Sequence, residues 1–347
     1  MRTPKRSILW VTILLLVLAA MEGGAEAAPK TLIKMATLAP TGSAWDKALK
    51  GMGAEWRRVT GGEVTLRIYA GGIAGDDSDV VRKMRIGQLD AAGVTIVGLT
   101  EIHRSFEAFG IPLLFDSWEE LEGVLDELEP YYRQQLESQG FVLLNWAHGG
   151  WAHLFSAEPV RTVADLKKVK LFVTAGDDRR VQWWKNNGFQ PRALAVTDIL
   201  TGLQTGMINA LVSTPLVTMS MQWYRRIPYM HNLPLGPLLG ANVITRRTWN
   251  RLPEASRKGL MAAAQELEER IFENISADDA EAIRLMEERG LTVVESADEA
   301  EWRRQIRRFA NDMRGGMVPA DAFDLMISAR DKVRASLAAA ALAEAGP

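Results

Sequence analysis

Short strand-like segments alternate with helical segments along the first two thirds of this sequence. The strand-like segments are apolar and rich in β-branched residues, and they cover Leu32–Leu38, Val64–Ala70, Leu89–Leu99, Phe141–Ala147, Lys170–Thr174, Arg192–Val196 and Ile208–Ser213. Because a helix between two strands usually returns the chain to a parallel position, the alternation predicts parallel sheets flanked by helices. The pattern therefore predicts an α/β fold.

Beyond Pro253 the sequence becomes helical. One long helical segment covers Glu254–Gly290, one strand follows at Leu291–Glu295, and two further helical stretches complete the chain. The chain has 347 residues, of which 47% are apolar, and this is enough for the cores of two domains. Since no Pro-, Gly- or Ser-rich linker separates two halves, we predict interleaved domains that share strands.

The amino terminus has the pattern of a secretory signal peptide. Three basic residues precede the apolar run Ile8–Ala20, and Ala25-Glu26-Ala27 supplies the small-x-small pattern that signal peptidase recognises. The apolar run is shorter than the roughly 20 residues that cross a bilayer. We therefore predict that residues 1–27 are a signal peptide cleaved after about Ala27, and that the protein is periplasmic.

The composition excludes several classes of site. There is no cysteine, so disulfide bonds, thiolate metal sites and cysteine nucleophiles are excluded. The formal net charge is −2 and no basic stripe is visible, which argues against a nucleic-acid partner. The histidines show no metal-ligand spacing, and the GxSxG signature of serine hydrolases is absent. We therefore predict no enzyme activity, no metal site and no cofactor.

A glycine-rich turn, YAGGIAGDDSD, invites comparison with phosphate-binding loops. It lacks the GxGxxG spacing, and no Lys-Ser/Thr pair follows it. Asp76, Asp77 and Asp79 crowd the start of the following helix, where they would satisfy the helix dipole and repel an anion. We interpret the segment as a capped turn, and we expect Ser43 to cap the preceding helix in the same way.

Several other stretches occur in a specific order along the chain. They are IKMATLAPTGSAWDKAL, FGIPLLFDSWEE, RTVADLKKVKLFV, LTGLQTGMINA and the long helix after RLPEASRKGLMAAA. Together with the glycine turn, they resemble the periplasmic solute receptors of TRAP transporters, the DctP-like binding proteins. The resemblance runs from about Ile33 to the end of the long helix.

The resemblance implies a two-lobed periplasmic binding protein fold with crossing strands and a long spanning helix. Residues 28–149 and 238–277 would form lobe I, residues 150–237 and 278–335 would form lobe II, and residues 336–347 would be a C-terminal tail. The lobes would close on a ligand by a hinge motion. The implied partners are a small-molecule ligand and TRAP membrane subunits, and a periplasmic helical-repeat helper protein is a further candidate.

The resemblance also places apolar residues of this chain where the family holds arginines. The arginine that pairs with a substrate carboxylate falls on Phe172, and a second arginine falls on Ala152. These replacements remove charge, so we predict a hydrophobic or amphipathic ligand, such as a lipid-like molecule, and no salt bridge to it. The predicted ligand-binding residues are Phe172, Ala152, Trp151, Ser213, Thr37, Thr95, Trp45 and Leu216.

Three other interpretations remain open at this point. A carboxylate ligand would require relocated basic residues, such as Arg179, Arg180 or Arg192. The protein could also be a periplasmic lipid carrier or a sensor that is not tied to transport. A hydrolase or isomerase on the same scaffold is disfavoured, because no paired nucleophile and base is visible.

Overall fold

The computed structural model describes residues 30–176 and 178–344, and the predicted signal peptide lies outside them. The strands are β1 (Thr31–Thr37), β2 (Val64–Tyr69), β3 (Ala91–Thr95), β4 (Phe141–Ser156), β5 (Lys170–Thr174), β6 (Gln190–Leu194), β7 (Ala210–Ser213), β8 (Tyr229–His231), β9 (Gly236–Thr245) and β10 (Thr292–Val294). The helices are α1 (Ala44–Val59), α2 (Asp77–Arg85), α3 (Ile96–Ile102), α4 (Trp118–Ser138), α5 (Val163–Leu166), α6 (Asp178–Asn186), α7 (Ile199–Gln204), α8 (Pro215–Ser220), α9 (Arg246–Arg251), α10 (Glu254–Glu287), α11 (Glu299–Asp312) and α12 (Ala320–Glu344).

The main strands follow the order β2-β1-β3-β9-β4-β7-β5-β6, and β8 joins β4 with β10. At one end β1 pairs in parallel with β2 and β3, and we call these three strands the first group. At the other end β5 pairs in parallel with β6 and β7, and these form the second group. The centre is antiparallel, since β9 pairs with β3 and β4, and β4 pairs with β7. The prediction of parallel sheets thus holds for the two groups but not for the strands between them.

Strand β4 links the two groups. Its 16 residues pair first with β9 and then, from His153 onward, with β7. The sequence indicated only Phe141–Ala147, because the two glycines that follow interrupt the strand pattern. Gly150 has a φ of 98°, which glycine adopts without strain, so the strand bends there and pairing continues. β9 was not predicted, since Gly236, Pro237 and Gly240 hide its alternation.

The helix starts follow the expected capping chemistry. Ser43 accepts a hydrogen bond from the backbone N of Asp46 and caps α1, as predicted. Asp76 caps α2 by accepting from the backbone N of Asp77, which confirms the capped turn. Thr95 caps α3, so the strand that was predicted to reach Leu99 ends at Thr95 instead.

Aromatic side chains form much of the core beside the first group. The ring of Phe106 lies 4.7 Å from that of Tyr132 and 6.2 Å from that of Trp146. On the opposite side of the sheet Trp56 of α1 is buried, and its Nε1 donates to the carbonyl oxygen of Leu260 in α10 at 3.1 Å. None of the helices within the described ranges combines the length and apolar character needed to cross a bilayer.

The long helix α10 is attached to β4 by two acidic side chains. Glu268 accepts from the backbone N of Trp146 at 3.0 Å, and Asp279 accepts from the backbone N of Trp151 at 3.1 Å. The two acids are 11 residues apart, about three helical turns, so both lie on the face of α10 that contacts β4. The helix therefore supports β4 on both sides of its bend.

Burial raises the pKa of these carboxyl groups and of one at the start of α2. The pKa of Glu268 rises from 4.5 to about 7, and those of Asp279 and Asp77 rise from 3.8 to about 6. In each case desolvation is the largest cause. Between pH 4 and 7 these three carboxyl groups therefore hold protons in the folded state that they release in the unfolded state.

We expect the free energy of unfolding of the wild type to fall relative to that of Glu268→Gln as the pH rises from 5 to 8. At Glu268 the unfolded state binds fewer protons in this window, and the relative loss should be on the order of 3 kcal/mol. The comparison with the variant is needed because burial also lowers the pKa of His148, His153 and His231, which acts in the opposite direction on the wild type and the variant alike. Glu268→Gln keeps an acceptor for Trp146, and urea denaturation of both proteins at several pH values measures the difference. A difference that does not change between pH 5 and 8 would contradict this assignment.

Candidate functional site

A cavity of about 300 Å³ opens between the two strand groups. We call it the cleft cavity, and it is lined by residues 37–40, 45, 49, 93–95, 97, 147–149, 172, 174, 196, 199, 211–213, 217, 221, 223 and 238–242. It lies at the carboxyl ends of β1 and β3 on one side and of β5 and β7 on the other. Ligands of open α/β sheets bind at such strand ends, where the following loops diverge. The architecture therefore favours this cavity as the solute site.

The lining of the cleft cavity is predominantly apolar. Trp45, Phe172 and Trp223 contribute aromatic surface, and leucine, valine and alanine side chains cover much of the remainder. Among the described residues that line it, there is no Lys, Arg, Asp or Glu. The cavity can bury apolar ligand surface, but its wall supplies no charged side chain to pair with an ionised ligand.

The hydroxyl of Thr95 in this wall is already occupied. Its Oγ1 donates to Asp77 Oδ2 at 2.5 Å and accepts from the backbone N of Val97 at 3.1 Å. Asp77 is buried behind it and does not line the cavity. The hydroxyl therefore serves the start of α3, which leaves it little capacity to bond to a ligand.

Two other polar side chains of the wall also have partners within the protein. Thr37 Oγ1 accepts from the backbone N of Ala39 at 3.2 Å. Asn242 Nδ2 donates to Asn145 Oδ1 at 3.0 Å, and both amides are buried. Ser213 is more available, since its Oγ has only a long contact of 3.5 Å with the carbonyl oxygen of Thr214. Ser213 and Thr174, whose hydroxyl makes no hydrogen bond with the described residues, are therefore the side chains best placed to orient a polar group of a ligand.

His148 is the histidine that lines the cleft cavity. Burial lowers its pKa to about 4, so its ring is neutral at physiological pH. The ring packs against Trp118, with centroids 4.7 Å apart. His148 therefore adds no positive charge to the cavity wall.

Of the predicted residues, five line the cleft cavity together: Thr37, Trp45, Thr95, Phe172 and Ser213. Leu216 lines a neighbouring cavity of about 390 Å³, which shares Trp45 with the cleft cavity. Trp151 and Ala152 line neither of them.

A β-bulge explains the placement of Trp151 and Ala152. Strand β4 carries one extra residue between its pairings with Leu239 and Pro237, so the alternation of its side chains shifts at the bend. As a result Trp151 joins His148 in contact with Trp118, at a ring distance of 4.9 Å. Ala152 is buried beside Gly236 of β9.

The basic residues considered for a carboxylate ligand lie outside the lining of the cleft cavity. The Arg180 guanidinium pairs with Glu107 at 2.6 Å, and both side chains are largely buried. Arg192 lies on β6 opposite Phe172 of β5, and its guanidinium donates to the carbonyl oxygen of Pro191 at 3.2 Å. Arg179 is likewise absent from the lining.

Sequence analysis missed the part of the site that β9 supplies. Residues 238–242 form one side of the cavity, and no strand was predicted there. The alternating apolar residues of GPLLGANVIT were the available signal, but two glycines and a proline weaken it. Met221 and Trp223 also line the cavity, and their position in the wall depends on the fold.

The two strand groups are in contact beside the cavity. Asp76 Oδ2 accepts from the backbone N of Val196 at 3.0 Å, and Val196 itself lines the cavity. The other oxygen of Asp76 caps α2. Asp76, in the glycine turn of the first group, thus also binds the 3-10 turn that begins at Val196. This turn follows β6 of the second group.

Asp279 joins three elements next to the cavity. Its Oδ2 accepts from the backbone N of Trp151, and its Oδ1 accepts from the backbone N of Leu216 at 3.2 Å. The side chain therefore connects α10 with the bend of β4 and with the first turn of α8. Gly150 is required beside it, since a Cβ there would lie 1.9 Å from Asp279 Oδ2.

We expect Asp279→Asn to lower the free energy of unfolding by about 2 kcal/mol at pH 7.5. An asparagine keeps one acceptor, but its Nδ2 would face a backbone N–H that needs an acceptor. Urea denaturation measures the change, and Asp278→Asn on the exposed neighbour is the matched control. Equal stability of the Asp279→Asn and Asp278→Asn variants would show that the hydrogen bond lost at Asp279 contributes nothing.

Comparison with known proteins places the chain among binding proteins. Residues 35–314 match the family described as bacterial extracellular solute-binding protein, family 7 (DctP). The uncharacterized protein YiiZ of Salmonella typhimurium is 26% identical over 166 residues, which are 47% of this chain and 50% of that protein. This chain therefore spans about half the length of YiiZ. The solute-binding protein RD1_1052 of Roseobacter denitrificans is 25% identical over 80% of this chain and 85% of its own length.

One relative with a named ligand and two solved structures cover most of the chain. The sialic acid-binding periplasmic protein SiaP of Vibrio cholerae is 21% identical over 82% of this chain and 88% of its own length. A TRAP periplasmic solute-binding protein of Xanthobacter autotrophicus with bound β-D-galacturonate superposes with a TM-score of 0.79 at 18% identity, covering 86% of this chain and 99% of that one. DctPAm of Advenella mimigardefordensis, in complex with galactonate, gives a TM-score of 0.81 at 16% identity, covering 88% and 99%. At these identities the two structures establish the fold, and the predicted α/β periplasmic binding protein fold is confirmed.

Proposed function

The chain belongs to the bacterial extracellular solute-binding proteins of family 7, and on that premise we propose that it is a TRAP receptor for a hydrophobic or amphipathic solute. The family consists of extracytoplasmic solute-binding proteins and not of enzymes. A periplasmic receptor of this kind captures a solute and passes it to membrane subunits. The nature of the solute is the new element of the proposal.

The observation that carries the proposal is the absence of charged side chains from the described lining of the cleft cavity. A carboxylate that entered it would lose hydration without gaining a paired charge, at a cost of several kcal/mol. Burial of roughly 300 Å² of apolar ligand surface would contribute about 7 kcal/mol before ordering costs. Micromolar affinity is therefore attainable without a salt bridge.

We assign the ligand contacts to the five predicted residues that line the cavity. Phe172, Trp45 and the methyl groups of Thr37 and Thr95 would contact the apolar body of the solute. Ser213 would orient a polar group, because its hydroxyl has only a long contact of 3.5 Å within the protein. Phe172 stands where the family resemblance places an arginine, so its replacement accounts for the change of ligand class.

The proposed mechanism is closure of two lobes on the solute. Lobe I would comprise residues 28–149 and 238–277, and lobe II would comprise residues 150–237 and 278–335. The bend of β4 at Gly150 and its contact with Asp279 lie at the proposed boundary. The contact between Asp76 and Val196 would then form on closure, because it joins the two strand groups beside the cavity.

A carboxylate ligand is the second candidate, and the known relatives favour it more directly than an apolar ligand. SiaP is named for sialic acid, and the two solved neighbours hold galacturonate and galactonate. For this chain the candidate requires Arg179, Arg180 or Arg192 to turn toward the cavity. For Arg180 that movement would separate a largely buried ion pair with Glu107.

The partners proposed with this function are TRAP membrane subunits, with a periplasmic helical-repeat helper protein as an additional candidate. Export by the signal peptide at residues 1–27 would deliver the protein to the compartment in which the family acts. A lipid carrier or sensor that is not tied to transport would use the same cavity. Co-purification with the membrane subunits separates receptor from carrier.

Titration calorimetry with three matched probes tests the ligand class. Cyclohexylmethanol and cyclohexanecarboxylate share an apolar body and differ in charge, whereas D-galacturonate has the charge with a polar body. We expect the alcohol to bind the cleft cavity at least about tenfold more tightly than either acid, as measured by the competition of each acid with the bound alcohol. Tighter binding of galacturonate than of the alcohol would establish the carboxylate candidate instead.

A further inference from the structure

A second cavity, of about 290 Å³, lies between α11, α12 and the segment Ile111–Leu114. We call it the arginine cavity, because Arg307, Arg330 and Arg334 line it. It shares no lining residue with the cleft cavity. Its chemistry is therefore separate from that of the proposed solute site.

The arginine cavity combines positive charge with an apolar surface. Leu113, Phe323 and Ile327 supply apolar walls next to the guanidinium groups. No aspartate or glutamate is present in the lining, within the part of the chain that the structure describes. A guanidinium offers up to five N–H donors in a planar fork that matches a carboxylate.

Two of the three arginines are partly neutralised by acids outside the lining. Arg334 donates to Glu120 Oε1 at 2.8 Å and to Asp116 Oδ2 at 2.7 Å. Arg330 donates to Asp331 Oδ1 at 2.6 Å, and its side chain is 18% exposed. These pairs hold both guanidinium groups at the cavity wall.

Arg307 differs from the other two arginines. It makes no hydrogen bond or ion pair with any of residues 30–176 and 178–344 for which contacts are described. The lining of the cavity thus carries an uncompensated positive charge beside two oriented guanidinium groups. Such an arrangement favours an anion, since charge-assisted hydrogen bonds are the strong ones.

One wall of the cavity is held in an unusual backbone conformation. Leu113 has a φ of 54°, in the left-handed region that is uncommon for leucine. Its backbone N donates to the carbonyl oxygen of Leu235 at 2.7 Å, and this hydrogen bond fixes the segment. Strain of this kind persists where the surrounding structure imposes it, so the wall is formed before any ligand enters.

We propose that the arginine cavity binds a small organic anion with an apolar body, of the size of benzoate. The anionic group is held by Arg307 together with the N–H groups that Arg330 and Arg334 have left over. The apolar body lies against Leu113, Phe323 and Ile327. This site is independent of the proposed solute site and of its ligand class.

Titration calorimetry with sodium benzoate at low ionic strength tests the proposal, with benzyl alcohol as the uncharged counterpart. Benzyl alcohol lacks the charge-assisted bonds and can also enter the cleft cavity, so we expect it to bind the wild type and Arg307→Ala equally. Arg307→Ala should weaken benzoate binding by about tenfold without loss of folding, since Arg307 has no protein partner to lose.

Arg308→Ala is the matched control, because Arg308 is also exposed on α11 but does not line the cavity. It should leave benzoate binding unchanged. The proposal is overturned if benzoate does not bind the wild type, if Arg307→Ala binds benzoate like the wild type, if Arg307→Ala weakens benzyl alcohol as much as benzoate, or if Arg308→Ala weakens benzoate binding as much as Arg307→Ala.

Discussion

Phe172→Arg is expected to weaken the binding of cyclohexylmethanol by at least about a hundredfold. The guanidinium would stand in a cavity whose described lining holds no acid, and it would replace aromatic surface that contacts the ligand. The same change should allow cyclohexanecarboxylate to bind, because it restores a bidentate partner for a carboxylate. Calorimetry with both probes measures the exchange of specificity.

Phe172→Leu is the control for this variant. It keeps an apolar side chain at the same position, so the affinity for cyclohexylmethanol should fall by no more than about tenfold. Circular dichroism confirms that both variants are folded. If Phe172→Arg bound the alcohol as the wild type does, Phe172 would not belong to the ligand site.

Gly240→Ala is expected to destabilise the protein by about 3 kcal/mol, or roughly 6–10 °C in melting temperature. Gly240 of β9 lies opposite Thr95 of β3, and a Cβ at this position would lie 2.3 Å from the carbonyl oxygen of Val94. The obstacle is backbone, which cannot rotate away as a side chain can. The two strands would have to separate where they form the wall of the cleft cavity.

Gly236→Ala is the matched control in the same strand. A Cβ at Gly236 meets no atom within 4 Å, so its melting temperature should stay close to that of the wild type. Thermal denaturation of both variants measures the difference. Similar melting temperatures for the two variants would show that β3 and β9 can move apart without cost.

The regular parts of the fold were predictable from sequence because their signals are local. β1, β5 and the start of α10 lie within one residue of their predicted positions, since each has an uninterrupted apolar pattern and clear ends. The end of β3 could not be predicted in this way. The hydroxyl of Thr95 caps α3 and so ends the strand, whereas the apolar residues that follow predicted a strand as far as Leu99. The antiparallel centre depends on β9, whose glycines and proline obscure the pattern of a strand.

The cleft cavity was predictable only in part. Phe172 lies in the middle of β5 and Ser213 is the last residue of β7; the sequence indicated both strands, and both residues line the cavity. Trp151 and Ala152 follow a bulge in β4, and a single extra residue there moves each side chain to the other face. The bulge depends on pairing with β9, and the hydrogen bond from Trp151 depends on Asp279 of α10. Both partners are far away in sequence, so the residues around Trp151 do not predict either feature.

Native mass spectrometry of the purified protein, followed by solvent extraction and identification of what it carries, tests the central claim most directly. We predict a neutral or amphipathic molecule with a substantial apolar body, and we predict that Phe172→Arg no longer retains it. A bound sugar acid that Phe172→Arg retains would contradict the account and establish the carboxylate candidate.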